Sequence, residues 1–191
     1  SETVKRIADY YTKVIRAVIY SSELHLSEIQ LVGNKEQNLL VNTWNNSYAT
    51  FPHEQCLHQL FEAQVQRIPN NIAITFGEVS LTYDELNKKA NKVARYLRHL
   101  HIKTGDLIGM CIKPSIEMIV GLLGIVKAGA AYVPLDPELP SKRVNFIAEE
   151  IKAKVILTQY QIAKCVKQCA PKIVCLDSDW HEIEQEKATN L

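Results

Sequence analysis

The chain has 191 residues, 47% of them hydrophobic, enough for one ordinary core with part of a second unit attached, and too apolar for a disordered or fibrous protein. Lys plus Arg number 22 against 21 Asp plus Glu, so no field of one sign is on hand to draw in nucleic acid or an anionic membrane. Five cysteines, Cys56, Cys111, Cys165, Cys169 and Cys175, are an odd number without a CxxC pair and sit mostly in apolar segments, where a thiol behaves as a small hydrophobe; a reducing, cytosolic compartment is expected.

The opening "SETVKRIADYY" has no initiator Met, basic n-region or apolar h-region, so no secretory signal is expected there and the chain reads as a piece of something longer. Val4, Ile7, Tyr11, Val14 and Val18 recur at steps of three and four, which predicts a helix with one apolar stripe that needs something to pack against. The stretch after it is polar, broken by Gly33 and by Asn45, Asn46 and Ser47, with a short amphipathic piece around Leu39, Leu40 and Trp44; it reads as an interdomain linker that docks locally.

From His53 the texture changes. Leu57, Leu60, Phe61 and Val65 predict a helix that stops before Pro69, and "NIAITF", the turn "GE" and "VSL" predict a tight hairpin with Gly77 at positive φ. Thr82 and Glu85 have the spacing of a capping box, and Leu86, Ala90, Val93, Ala94 and Leu97 form the inward stripe of the helix it opens. Strands "LIGMCI", "AAYVPL", "KVILT" and "KIVCL" then alternate with helices "SIEMIVGLLGIVKAG", "SKRVNFIAEEI" and "YQIAKCVKQC". The fold class is α/β, with a largely parallel, doubly wound sheet covered on both faces and a helical tail and linker in front. The most apolar run, Met118 to Val126, is about half the roughly 20 residues needed to cross a bilayer and reads as a buried helix closed by Gly129. Pro134, Pro137 and Pro140 punctuate the exit of the strand Ala130 to Leu135, which is expected to have close neighbours on both faces; Pro134 is expected to remove one ladder donor, Pro137 to stiffen the turn and Pro140 to start the next helix.

The chemistry-bearing candidates are sparse. The seven glycines never cluster, and neither GxGxxG nor GxxxxGK[ST] occurs; Gly121 and Gly124 lie in the buried helix, where close packing accounts for them. Asp177, Asp179 and His181 can be drawn as metal ligands, but polar groups at a strand end are usually solvated turn residues. His99 and His101 suit a helix C-terminus, and Lys88, Lys92, Arg95 and His99 make a basic face expected to be solvated. Glu149 with Glu150 point apart on a helix, and nothing apolar surrounds Glu182 with Glu184, so neither pair is set up for acid/base work. A generic small ligand could bind at the strands' carboxyl ends near Thr158 or Asp136. No catalytic, cofactor-binding or metal-binding residue is assigned.

"CLHQLFEAQVQRIPNNIAITF", "LTYDELNKKANKVARYL" and "VGLLGIVKAGAAYVPLDPELP" together resemble the N-terminal part of the adenylation domain of nonribosomal peptide synthetases, in the adenylate-forming, AMP-binding superfamily. "LTYDEL" and "KAGAAYVPLD" match that family's first two core motifs nearly letter for letter. The resemblance extends to residues 1–30 as the end of a condensation domain, to 31–52 as the interdomain linker, and to 53–191 as the start of the adenylation domain, where "KIVCLDSDWHEIEQ" resembles the segment before the phosphate loop. It implies an activity in which the complete domain, with ATP and Mg, converts an amino acid to an aminoacyl-adenylate and passes it to a phosphopantetheine carrier. The implied partners are the rest of the adenylation domain and the condensation and carrier domains, with no nucleic acid and no membrane. The family's phosphate loop (YTSGTTGxPKG), pocket residues, metal-binding acid and late lysine lie downstream of "ATNL", and the condensation motif HHxxxDG lies upstream, so the chain is expected to be inactive alone. The alternative is a self-standing, degenerate adenylation-like docking module.

Overall fold

The computed structural model describes residues 1–21, 23–166 and 170–191. These fall into two compact units, Ser1–His53 and Glu54–Leu191.

In the first unit, helix α1 (Glu2–Tyr20) forms as its periodicity predicts, yet it contains no buried residue, and Val4, Ile7, Tyr11 and Val18 of its apolar stripe are exposed. Its polar side is occupied. Tyr10 donates its hydroxyl hydrogen to Glu36 in helix α2 (Asn34–Asn38), and Lys13 Nζ donates to the Leu31 carbonyl at 2.6 Å. The amphipathic piece at Leu39–Thr43 continues α2 as a wider turn. The polar stretch after α1 therefore packs back locally on α1.

The second unit opens with helix α3 (Leu57–Arg67), which stops before Pro69. Strands β1 (Ile72–Phe76) and β2 (Val79–Thr82) pair antiparallel about Gly77, whose φ of +60° is the left-handed value the turn requires. Helix α4 (Tyr83–His99) is held open by the capping box: Glu85 N–H donates to Thr82 Oγ1 at 3.3 Å, and Thr82 N–H donates to the Glu85 carboxylate at 2.8 Å. All five residues of its predicted stripe are buried.

Four strands form one parallel sheet in the order β4-β3-β5-β6: β3 (Leu107–Cys111), β4 (Ala131–Pro134), β5 (Val155–Thr158) and β6 (Lys172–Cys175). Helix α5 (Ile116–Lys127) joins β3 to β4, and helix α6 (Ser141–Glu150) carries the chain back across to β5, so the winding reverses between β3 and β5. Alternate side chains serve opposite faces. Ile108, Met110, Val155, Leu157, Val174 and Leu176 pack with α4 and α5, while Cys111 and Ile156 pack with Val144 and Ala148 of α6. The α4–α5 contact is close because Gly124 has no side chain: a methyl there would stand 2.5 Å from Val93 Cγ1, and one at Gly121 would stand 2.8 Å from Leu176 Cδ1. Both glycines serve packing, as expected.

Two expectations are corrected. β4 is an edge strand, and Ala131, Tyr132 and Pro134 are exposed rather than enclosed on both faces. Pro134 also removes no ladder bond. Ala131 N–H donates to the Asp106 carbonyl and Leu135 N–H to the Met110 carbonyl, both at 2.9 Å. Backbone groups alternate along a strand, so the nitrogen of Pro134 faces outward, where it blunts the edge. In the segment "YQIAKCVKQC", residues Ala163–Val166 form a 3-10 turn instead of an α-helix, and positions 167–169 lie outside the described residues. A short helix α7 (Trp180–Ile183) follows β6. Among the described residues no helix is long and apolar enough to cross a membrane.

Candidate functional site

A parallel sheet offers its binding edge at the carboxyl ends of its strands, above all where the winding reverses. Here that crevice lies between β3 and β5, and it is bolted shut by side chains. Thr158, fully buried, donates its hydroxyl hydrogen to the Cys111 carbonyl at 2.8 Å. Gln159 accepts from Lys113 N–H at 3.1 Å and donates to Ser115 Oγ at 3.2 Å. The same Ser115 hydroxyl caps α5 by accepting from Met118 N–H at 3.3 Å.

Beside it, at the ends of β3 and β4, lies an open cleft of about 560 Å³. Met110, Ile112, Met118 and Leu135 supply apolar walls, and Lys113, Asp136 and Glu138 supply charge. Asp136 Oδ1 is engaged in its own turn, accepting from Glu138 N–H at 2.9 Å. Among the described residues the cleft is lined by no His, Cys, Ser or Thr, so it offers apolar contact and charge but no hydroxyl, thiol or imidazole nucleophile. Nor does this edge suit a nucleotide phosphate. The β3–α5 turn spends its Lys113 N–H on Gln159, has no N–H at Pro114, and contains no glycine through which a backbone could close on an anion. The residues of this turn do not fit ATP phosphates, and among the described residues no group of three His, Cys, Asp or Glu is placed to hold a metal ion.

The candidates singled out in the sequence do not converge. Asp177 accepts from Tyr160 N–H at 2.9 Å, and Asp179 accepts from Cys175 N–H at 2.9 Å while its own N–H donates to the Cys175 carbonyl at 2.8 Å. Asp179 thereby caps the outer edge of β6, and the Nδ1 of His181 lies 3.2 Å from the Ser178 carbonyl. Burial pushes the neighbouring Cys175 thiol up from its ordinary range, which keeps it protonated. Glu149 and Glu150 are exposed on α6. Glu182 accepts from the Tyr96 hydroxyl, whose ionisation is pushed upward by burial and by that carboxylate; Glu184 is exposed. His101 takes a positive φ of 59° in the turn after α4.

The basic face of α4 is engaged within the chain as well as solvated, since Lys88 and His99 remain exposed. Lys92 Nζ donates to the Glu184 carbonyl at 3.0 Å, Arg95 donates to the Thr189 carbonyl and hydroxyl at 3.0 Å each and to the Asn190 carbonyl at 2.9 Å, and His99 pairs with Glu186. Only Lys88 keeps to its own helix, bridging to Asp84 at 2.7 Å. Asn87 and Asn91, which the periodicity of α4 does not single out, join them. Asn91 Nδ2 donates to the Ala188 carbonyl at 2.7 Å and to Asn190 Oδ1 at 2.9 Å, and Asn87 Nδ2 donates to Asn190 Oδ1 at 3.0 Å. A signal for them exists in the chain: they sit four apart, each directly after an inward-facing residue of the stripe, where a polar side chain needs a partner.

Comparison with known proteins gives this architecture a context. The family model for AMP-binding enzymes matches residues 61–190. A linear gramicidin synthase of Brevibacillus parabrevis is 34% identical over 190 residues, and Gramicidin S synthase 2 of Aneurinibacillus migulanus is 35% identical over 190 residues; each alignment covers 100% of this chain. The chain spans 4% of the length of either relative. Among solved structures, the nonribosomal peptide synthetase FmoA3 in its AMPPNP-bound form superposes with a TM-score of 0.69 at 24% identity, over 98% of this chain and 20% of that one. A fatty acyl CoA synthetase of Mycobacterium tuberculosis does so with a TM-score of 0.65 at 22% identity, over 70% of this chain and 29% of that one. The two synthetases share the fold, and the family match runs through α4, the parallel sheet and the segment held on α4: the chain belongs to the AMP-binding enzyme family.

Proposed function

We propose that the chain is a section of a nonribosomal peptide synthetase at the junction of a condensation and an adenylation domain, with 1–30 closing the former, 31–52 linking the two and 53–191 opening the latter. One observation carries this reading: similarity to peptide synthases covers the whole chain, including residues 1–60, which the AMP-binding match leaves out. In the complete adenylation domain an amino acid and ATP, with Mg, give an aminoacyl-adenylate and pyrophosphate, and the acyl group passes to a phosphopantetheine thiol on a carrier domain. The partners are then the rest of that domain, the condensation and carrier domains and the amino acid, in the cytoplasm. Residues 1–191 supply scaffold to that reaction and no reacting group.

The test is amino-acid-dependent exchange of pyrophosphate into ATP, run on the parent polypeptide and on residues 1–191. Exchange by the parent with one amino acid, and none by residues 1–191, is the expected result. Exchange by residues 1–191 would refute the scaffold assignment, and a parent inactive with every amino acid would refute the synthetase reading. The alternative, a self-standing docking module, draws on the locally docked helices before residue 53 and on the basic face of α4, of which Lys92, Arg95 and His99 bond to residues 184–189 of the chain itself.

A further inference from the structure

The polar face of α4 holds more hydrogen-bonding capacity than residues 184–190 use. Asn91 is fully buried and Asn87 is 8% exposed. Each donates from its amide nitrogen to the segment, yet the amide oxygens of both, Asn87 Oδ1 and Asn91 Oδ1, are buried with no partner among the described residues. A buried acceptor without a donor keeps its full desolvation penalty, and two of them on adjacent turns of one helix, beside the same segment, point to a donor that belongs there. The donor has to be an N–H or O–H, and it has to reach a place already walled by Ala188 and Asn190.

We propose that Asn87, Asn91 and Arg95 form a backbone clamp that sets the register of the polypeptide on both sides of Asn190, the two uncommitted amide oxygens accepting main-chain N–H groups of the extended segment that follows. The geometry favours main chain as the occupant. Asn91 and Arg95 already bind main-chain oxygens at Ala188, Thr189 and Asn190, while Asn87 and Asn91 also hold the side-chain oxygen of Asn190 and Arg95 the hydroxyl of Thr189. A helix face that takes successive backbone carbonyls through its donors is completed by taking the alternating N–H groups through its acceptors. The buried position of Asn91 makes the bond insensitive to solvent, so the clamp would fix the path of the chain where it leaves α4 rather than only tether it. These are positioning residues. The inference rests on the synthetase reading, in which the polypeptide continues past Leu191.

Hydrogen exchange read by mass spectrometry on the parent polypeptide tests it. In the wild type, the first main-chain N–H groups after Leu191 are expected to be protected. In an Asn87→Leu/Asn91→Leu double variant they exchange about tenfold faster, the scale of one net hydrogen bond, while the amides of α5 and of the parallel sheet keep their rates. If the double variant does not fold, Arg95→Gln, a change at the partly exposed rim, serves instead: the clamp requires faster exchange both at 188–190 and beyond 191. No protection beyond 191 in the wild type, or acceleration confined to 188–190, overturns the inference and leaves water as the donor. Amino-acid-dependent exchange of pyrophosphate by the same wild-type preparation reports on the synthetase reading separately, so either can fail without the other.

Discussion

Lys127, in the last turn of α5, has a side chain only 1% exposed, and its ammonium is paired with the carboxylate of Glu62 on α3, itself 21% exposed. This ion pair ties α3 to the buried helix. Burial pulls the Lys127 ammonium below the ordinary lysine range, and the hydrogen bond it donates to Glu62 only partly restores it. The two partners are therefore not equivalent. Glu62→Gln leaves a buried charge unpaired and is expected to cost about 2–3 kcal/mol, toward the low end for a broken buried pair because Glu62 is partly hydrated. Lys127→Met removes the buried charge itself and is expected to range from neutral to about 2 kcal/mol stabilising. Because the folded state holds the Lys127 proton less tightly than the unfolded state does, the wild type gains stability relative to Lys127→Met as pH rises from 7 toward the ordinary lysine range. Denaturant titrations at two pH values check this, and equal losses for the two variants would contradict it.

Pro134 guards the exposed edge of the sheet. Its nitrogen faces outward, so Pro134→Thr restores an N–H to the outer edge of β4 without adding any ladder bond to β3. Stability is expected to change by less than about 1 kcal/mol, while self-association rises. Light scattering against concentration reads the effect, and identical curves for both proteins would show that the edge is protected by something else.

Acid sensitivity should trace in part to Asp106. At the amino end of β3 its carboxylate accepts from Lys154 Nζ at 2.8 Å and from Lys103 N–H at 2.8 Å. The Lys154 bond first, and then the Lys103 bond, hold the carboxyl below the ordinary aspartate range. A lowered folded-state value means the contribution is complete above about pH 4, the unfolded value, and is lost as pH falls through the folded one. The Tm of Asp106→Asn is expected to lie below that of the wild type at pH 7, with the gap narrowing below pH about 4. A gap that stays constant on acidification would assign the effect to packing.

Much of this molecule follows from local rules that act within a few residues. The capping box at Thr82 and Glu85, the turn at Gly77, the stop before Pro69, the stripe of α4 and the alternation of strands and helices all depend on neighbours in the chain, and the sequence determined them. Strand order was beyond its reach. Ala131 to Pro134 is apolar enough for an interior strand, and only the return of α6 to the far side of β3 leaves it at the edge, because pairing depends on crossovers that span dozens of residues. The fate of the basic face was decided the same way. Lys92, Arg95 and His99 have the spacing of a solvated row, and their use is set by residues about ninety positions away, brought against α4 only when the sheet and α7 are in place. Hydrogen bonds between distant segments leave no period in the sequence, so tertiary structure alone turned that row, with Asn87 and Asn91, into a grip on the chain.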